Sequence, residues 1–247
     1  MKKELYDQIY RIEKTHWWYV ARRRIIFDWV LSVLGDYATR RVVDIGCGTG
    51  FNLEYLLNNG CSYVVGLDVS DGALAFCRSR GLSTLVCGDG ARPPLRHGSF
   101  DVVMALDLIE HLDDDDQALC EFARLLRPGG SLIVFTPAFS FLWGLQDEVS
   151  HHRRRYTARE LRRKVEITGL CIDKLTYANT FLFPLIWAGR LVLRLFGGNM
   201  QIVSENDLHP RWSNGLLEAI FSAERPLLRH VNFPFGVSLL CIARKPN

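Results

Sequence analysis

Lysine is scarce in this 247-residue chain: of 30 basic residues, 24 are arginine and six lysine. Cysteine pairing is absent too. The seven cysteines (Cys47, Cys61, Cys77, Cys87, Cys120, Cys171 and Cys241) contain no C-x-x-C, which excludes a disulfide framework and a zinc cluster. Most have apolar neighbours, so they are expected to be reduced, buried thiols of a cytoplasmic protein. No apolar h-region follows the charged start Met1–Glu4, which argues against a signal peptide. No apolar run reaches the ~20 residues of a bilayer span. The longest, Phe181 to Phe196, is broken by Pro184, Arg190 and Arg194. Little net charge is present, only +3, which argues against a nucleic-acid partner. What is there is 48% hydrophobic and 23% charged, enough to build a sizeable core and to exclude disordered and collagen-like classes.

From about residue 41 to 137, strand-like and helix-like runs alternate, as in a parallel sheet with crossover helices. Strands are expected at Val42–Ile45, Tyr63–Leu67, Thr84–Val86, Phe100–Ala105, Leu132–Phe135, Leu170–Tyr177 and Val237–Ala243. Helices are expected from Thr49, over Asp71–Arg80, over Asp116–Leu126 and over Thr157–Thr168, the last with Thr157 and Glu160 as a capping box. The acidic run Asp113–Asp116 suits a helix start. The organisation is then a helical arm over 1–40, a core over 41–177, a helical cap inserted over 178–234 and a closing strand over 235–247.

The first strand delivers Asp44-Ile45-Gly46-Cys47-Gly48-Thr49-Gly50 into a helix. Glycines in such a turn let backbone N–H groups approach a ligand with no Cβ in the way. A dinucleotide fingerprint needs its third glycine where Phe51 stands, so an NAD site is disfavoured. The spacing resembles instead the cofactor loop of class I S-adenosylmethionine (SAM)-dependent methyltransferases, and four further features follow in that family's order. Asp68 ends the second strand, where the family accepts both ribose hydroxyls. Gly88-Asp89-Gly90-Ala91 follows the third, near the expected adenine. Ser99-Phe100-Asp101-Val102-Val103 with Ile109-Glu110-His111 matches the fourth strand and its loop, and Leu126-Arg127-Pro128-Gly129-Gly130 the turn to the fifth. The resemblance implies a Rossmann-like, seven-stranded, mostly parallel, doubly wound α/β sheet with helices on both faces. It implies SAM as cofactor, S-adenosylhomocysteine as product, and a cofactor site built from Asp44, Gly46, Cys47, Gly48, Gly50, Asp68, Val69, Asp89, Gly90, Ala91, Asp107 and His111.

Methyl transfer asks an enzyme for alignment, desolvation and, for a hydroxyl acceptor, a base. Asp107-Leu108-Ile109-Glu110-His111 resembles the E-x-x-E-H segment of ubiquinone-pathway O-methyltransferases, where the acids and histidine are associated with a divalent cation. Aspartate in the first acidic position shortens its reach, and Glu-His pairs also occur in metal-free members, so no metal is assigned. The second cluster, Asp147 to Thr157, offers His152 as base in preference to His151, Tyr156 as an orienting hydroxyl and Arg154 as a clamp on an anionic group. His111, His151, His152 and Tyr156 are therefore the catalytic candidates.

Trp17, Trp18, Tyr19 and Arg24 lie on an amphipathic segment that resembles the N-terminal lids of small-molecule methyltransferases; plain packing on the domain is the other reading. The apolar segment 181–196, with Arg190 and Arg194 one turn apart and Gly197-Gly198-Asn199 at its end, suits a greasy acceptor, a membrane interface through 178–200, a homodimer contact or a buried helix. The acceptor is expected to be small and hydrophobic or lipid-linked, with oxygen favoured. The protein is expected to be cytoplasmic, with peripheral contact at the inner membrane surface as the membrane reading. The rivals are an RNA or protein methyltransferase and a non-catalytic SAM-binding scaffold; Ala105-Leu106-Asp107-Leu108 stands where amino-nucleobase enzymes of the family carry Asn-Pro-Pro-Tyr.

Overall fold

The computed structural model describes residues 3–35, 38–196 and 211–247. Helices α1 (Lys3–Ile12) and α2 (Trp17–Leu34) precede β1 (Arg41–Ile45). Then come α3 (Phe51–Asn58), β2 (Tyr63–Asp68), α4 (Asp71–Ser79), β3 (Leu85–Cys87), β4 (Phe100–Leu106), α5 (Asp115–Leu125) and β5 (Leu126–Pro137). The remainder is α6 (Leu145–Val149), α7 (Ala158–Ile167), β6 (Cys171–Ala178), α8 (Phe183–Phe196), α9 (Asn214–Ser222), α10 (Glu224–Leu228) and β7 (Ser238–Arg244). The strands form the expected seven-stranded sheet in the order β3-β2-β1-β4-β5-β7-β6, with β7 antiparallel to both neighbours and the other pairs parallel.

Strand alternation divides the apolar residues between two cores. Val42, Val102 and Ile133 join α2 and α3 side chains on one face; Val43, Val103 and Val134 join those of α5 and α7 on the other. With both faces covered, every residue of β4 is buried, which is why the segment is apolar except for Asp101 near its start, whose carboxylate pairs with Arg40 at 2.9 Å. The Thr157–Glu160 capping box forms, and Asp114 caps α5 by accepting from Gln117 N at 2.9 Å.

Three expectations are corrected. Strand β5 starts at Leu126 instead of Leu132: Arg127-Pro128-Gly129-Gly130 does not stop the chain, because Gly129 N donates to Lys245 O and Lys245 N to Gly130 O, giving this stretch ladder partners beyond β7. Cys87, Cys120 and Cys171 are exposed; only Cys47, Cys61, Cys77 and Cys241 are buried, and all seven are free. Helix α2 is part of the core and not an outlying arm, burying Ala21, Ile25, Ile26 and Val30 and packing against α9. Arg24 pairs with Glu218, and Arg225 with Asp28, so the N-terminal helices and the cap form one layer.

Within that layer α8 keeps Leu185, Val192 and Leu195 exposed, while Arg190 and Arg194 donate to the carbonyls of Leu142 and Trp143. The arginine pair thus tethers α8 to the turn after β5. Gly197-Gly198-Asn199 lies outside the described residues. Among those described, no helix is long and apolar enough to cross a membrane.

Candidate active site

In this strand order the chain reverses direction of winding between β1 and β4, and open α/β sheets bind ligands in the crevice at the carboxyl ends of such strands. A cavity of about 520 Å³ opens there. Its floor is Gly46, Cys47, Gly48 and Thr49 after β1 and Asp107 after β4. One side is Trp17, Trp18, Tyr19 and Arg22 of α2, another is His111 and His152, and the far wall is apolar: Leu182, Leu185, Ile186 and Leu193.

At the loop end, Asp68 is buried and accepts from Gly48 N and Ser70 N, each at 2.9 Å, and from the Tyr6 hydroxyl of α1. Burial nevertheless pushes its carboxyl up. Thr49 donates its hydroxyl to Glu13 at 2.6 Å, so α1 is fastened to the glycine loop. Asp44 is buried beneath the loop; Oδ2 accepts from Asn52 at 3.4 Å and Oδ1 has no hydrogen-bond partner among the described residues. Burial pushes this carboxyl up to about 7, opposed only in part by Asn52 and Arg22.

Unfolded, Asp44 releases its proton near its ordinary value of 3.8; folded, it holds the proton to about 7. Its favourable share of stability is complete below pH 3.8 and is lost as pH rises to 7. Between those limits the wild type is expected to lose up to ~4 kcal/mol more than Asp44→Asn, read by urea unfolding. Glu224, pushed up to about 7 by burial, acts in the same direction in both proteins and cancels in the comparison.

Asp107 stands at φ 53, a left-handed conformation that is strained for aspartate, and its carboxylate pairs with Arg22 at 2.6 Å. Arg22 is buried, lies over the Trp18 and Phe135 rings at 5.1 and 5.0 Å, and has an unpartnered Nε among the described residues. Glu110 is fully buried behind this pair; Thr136 donates to its Oε2 at 3.0 Å, and burial with Asp107 nearby holds its carboxyl well above the usual range. His111 and His152 meet edge to face, ring centres 4.7 Å apart. Burial, reinforced by His152, pushes His111 down to about 4, so it is neutral near pH 7. Glu110, His111 and His152 bring three potential ligand atoms within 4.8 Å of one another, a set in which His152 takes the place the sequence reading gave Asp107.

The cavity therefore gathers Gly46, Cys47, Gly48, Asp107, His111, His152, Trp17, Trp18 and Tyr19 of the expected residues. Val69 and Asp89 are exposed on the outer side of the same strand edge, with Asp89 accepting from Ala91 N at 2.8 Å; Gly90 is buried against Ile45 and Leu108, and Gly50 is packed against Leu82 and Cys77. These lie outside the cavity wall, as do Asp44 and Asp68.

Four expectations are corrected. His151 is exposed at φ 57 and does not line the cavity. Tyr156 is buried away from it, donating to Asp115 at 2.8 Å and to Ile109 O at 3.1 Å; burial and that carboxylate hold its hydroxyl far above its ordinary value. Arg154 pairs with Asp115 at 2.7 Å and is not in the wall. Arg24 points outward to Glu218, between the inward-facing positions Ala21 and Ile25. Arg22 takes the position at the cavity, and Asp147, which holds His152, carried no mark in the sequence beyond standing five residues before it.

Residues 43–134 match the family model described as a methyltransferase domain. Over those residues the chain carries a methyltransferase domain. The chain is 34% identical over 164 residues, 65% of its own length and 62% of the relative, to a probable S-adenosylmethionine-dependent methyltransferase of Mycolicibacterium smegmatis. It is 36% identical over 118 residues to mouse tRNA (carboxymethyluridine(34)-5-O)-methyltransferase ALKBH8, covering 47% of this chain and 16% of that one. It is also 29% identical over 115 residues to a ubiquinone biosynthesis O-methyltransferase of Bordetella avium, covering 44% and 47%. The match thus spans less than two thirds of each of these relatives. A SAM-dependent methyltransferase from Thermotoga maritima, titled a possible histamine N-methyltransferase, superposes with a TM-score of 0.60 at 17% identity over 98% of this chain and 95% of that one, a likeness of fold.

Proposed function

We propose that this methyltransferase moves the methyl group of SAM to an oxygen of a small hydrophobic or lipid-linked acceptor. The observation that carries the reading is the single cavity joining the glycine loop, the His111–His152 pair and the apolar wall of α8.

The residues present fit the cofactor. Gly48 has open space where a Cβ would stand, the buried Oδ1 of Asp44 is an unpartnered acceptor for an ammonium, and the Nε of Arg22 is an unpartnered donor for a carboxylate. Asp68 at the end of β2 would take the ribose hydroxyls, with Val69 and Asp89 beside the adenine. Bound SAM supplies a methyl on positive sulfur, an electrophile that needs alignment and water exclusion more than activation. Trp18, Tyr19 and the α8 side chains exclude that water and bind apolar surface, each fully buried aliphatic group of the acceptor contributing about 0.8 kcal/mol per methylene. His152 takes the hydroxyl proton of the acceptor. Arg153 and Arg154, which an RNA-reading surface would present, are paired with Asp113 and Asp115.

Incubating the protein with tritium-methyl-labelled SAM and with lipid, RNA and protein fractions of the source cells tests this. Label is expected in the organic-soluble fraction, falling roughly 10²–10⁴-fold in His152→Gln. Label confined to RNA or protein would overturn the acceptor class.

A further inference from the structure

We propose that Asp147 is the positioning residue for His152: it fixes the imidazole tautomer with the proton on Nδ1 and leaves Nε2 as the accepting atom. The proposal rests on the reading of His152 as base.

Asp147 sits in the short helix α6 between β5 and α7, wholly buried. Its Oδ1 is 2.8 Å from His152 Nδ1 and accepts from Arg155 Nε at 2.8 Å; Oδ2 accepts from Arg155 at 2.9 Å and from Gly144 N at 2.7 Å. The main chain repeats the link, His152 N donating to Asp147 O at 2.8 Å. A buried carboxylate surrounded by such donors stays ionised: burial alone would push it up, but His152 and the Arg155 guanidinium hold it well below the ordinary range. An ionised carboxylate only accepts hydrogen bonds, so Nδ1 of His152 must donate. The opposite ring edge then carries the lone pair, on a histidine that lines the cavity.

The neighbours support the division of labour. Among the described residues, His111, Asp107, Arg155 and Glu110, whose carboxyl is within 4.8 Å and is held well above the usual range by burial, are charged or titratable groups whose fields reach this cluster. His111 is neutral, and Asp107 is engaged by Arg22. Arg155 grips both oxygens of Asp147 and completes an Arg–Asp–His relay of position in which only the histidine need meet the acceptor. Such a carboxylate is worth far more than its packing to a histidine base, because the wrong tautomer presents N–H where a lone pair is required.

A merely structural ion pair would sew residues 144–155 together without fixing the tautomer, so the tautomer is what must be read. Long-range ¹H–¹⁵N correlation of the seven histidines, with His152 assigned by its loss in His152→Gln, is expected to show a protonated Nδ1 and a bare Nε2 in the neutral ring. In Asp147→Asn the Gly144 and Arg155 donors retain the amide oxygen and the NH₂ faces His152, so the ring is expected to switch to Nε2–H while the other histidines keep their signals. Asp147→Glu is expected to retain Nδ1–H. Label transfer from SAM should fall about 100-fold or more in Asp147→Asn. A wild-type His152 protonated on Nε2, or a folded Asn variant with an unchanged tautomer, would overturn the proposal while leaving the base in place. Undiminished transfer by His152→Gln would instead overturn the base reading. Should Asp147→Asn fail to fold, the wild-type spectrum decides alone.

Discussion

Gly48→Arg is expected to abolish SAM binding in calorimetric titration while the protein stays folded. Gly48 has φ +55, and no atom lies within 4 Å of the place a Cβ would take, so the new side chain enters open space in the cavity instead of the core. The left-handed backbone costs a non-glycine residue roughly 1–2 kcal/mol, tolerable for a domain of this size. The ligand loses much more. An arginine there fills volume needed by the amino-acid end of the cofactor, brings positive charge to a site for a sulfonium and an ammonium, and disturbs the Gly48 N–Asp68 bond of 2.9 Å. A loss of at least ~100-fold in affinity corresponds to about 3 kcal/mol. Wild-type affinity in the variant would mean that SAM does not use this loop.

The largest stability effect is expected at Arg80. Its side chain is 2% exposed and donates to Glu13 and Glu54, each at 2.5 Å, and to Thr49 O at 2.8 Å, with its guanidinium over the Tyr10 and Phe51 rings at 4.5 and 4.9 Å. One residue after α4 therefore holds α1, the glycine loop and α3 together. Arg80→Ala strands Glu13, whose carboxyl burial already pushes up and whose remaining donor is the Thr49 hydroxyl. Breaking a buried pair by removing one partner costs about 3–5 kcal/mol. Urea unfolding measures it, and hydrogen exchange should show residues 3–12 losing protection first, because Glu13 closes the turn after α1. A cost below ~1 kcal/mol with α1 still protected would show that its apolar contacts suffice.

The glycine loop and Asp68 were legible in the sequence because their function lies in the backbone turn and the strand end, both of which are local. The strands were legible for the same reason, their apolar runs being set by burial on both faces. Arg22 was not singled out from Arg22-Arg23-Arg24, since composition treats the three alike. Helical spacing sets Arg24 apart: Trp18, Ala21, Arg22, Ile25 and Ile26 share the inward face, while Arg23, also buried at the cavity, turns to Glu13 O and the Phe51 ring. Tyr156 and Arg154 lie in the loop that delivers His152, yet they turn to Asp115, a partner 41 residues earlier for the tyrosine and 39 for the arginine. No local pattern announces such a pairing. Asp147 is the same case in reverse: it stands beside Glu148 in a polar stretch of sequence and is buried, because Arg155 and Gly144 meet it there.

A crystal structure with S-adenosylhomocysteine tests the central claim most directly. The account predicts the thioether sulfur in the cavity between Gly46, Asp107 and the His111–His152 pair, the ribose on Asp68 and the adenine over Val69 and Asp89, with the α8 side of the cavity left open for an acceptor. Density for the ligand at any other place, or with its sulfur turned away from His152, would contradict it.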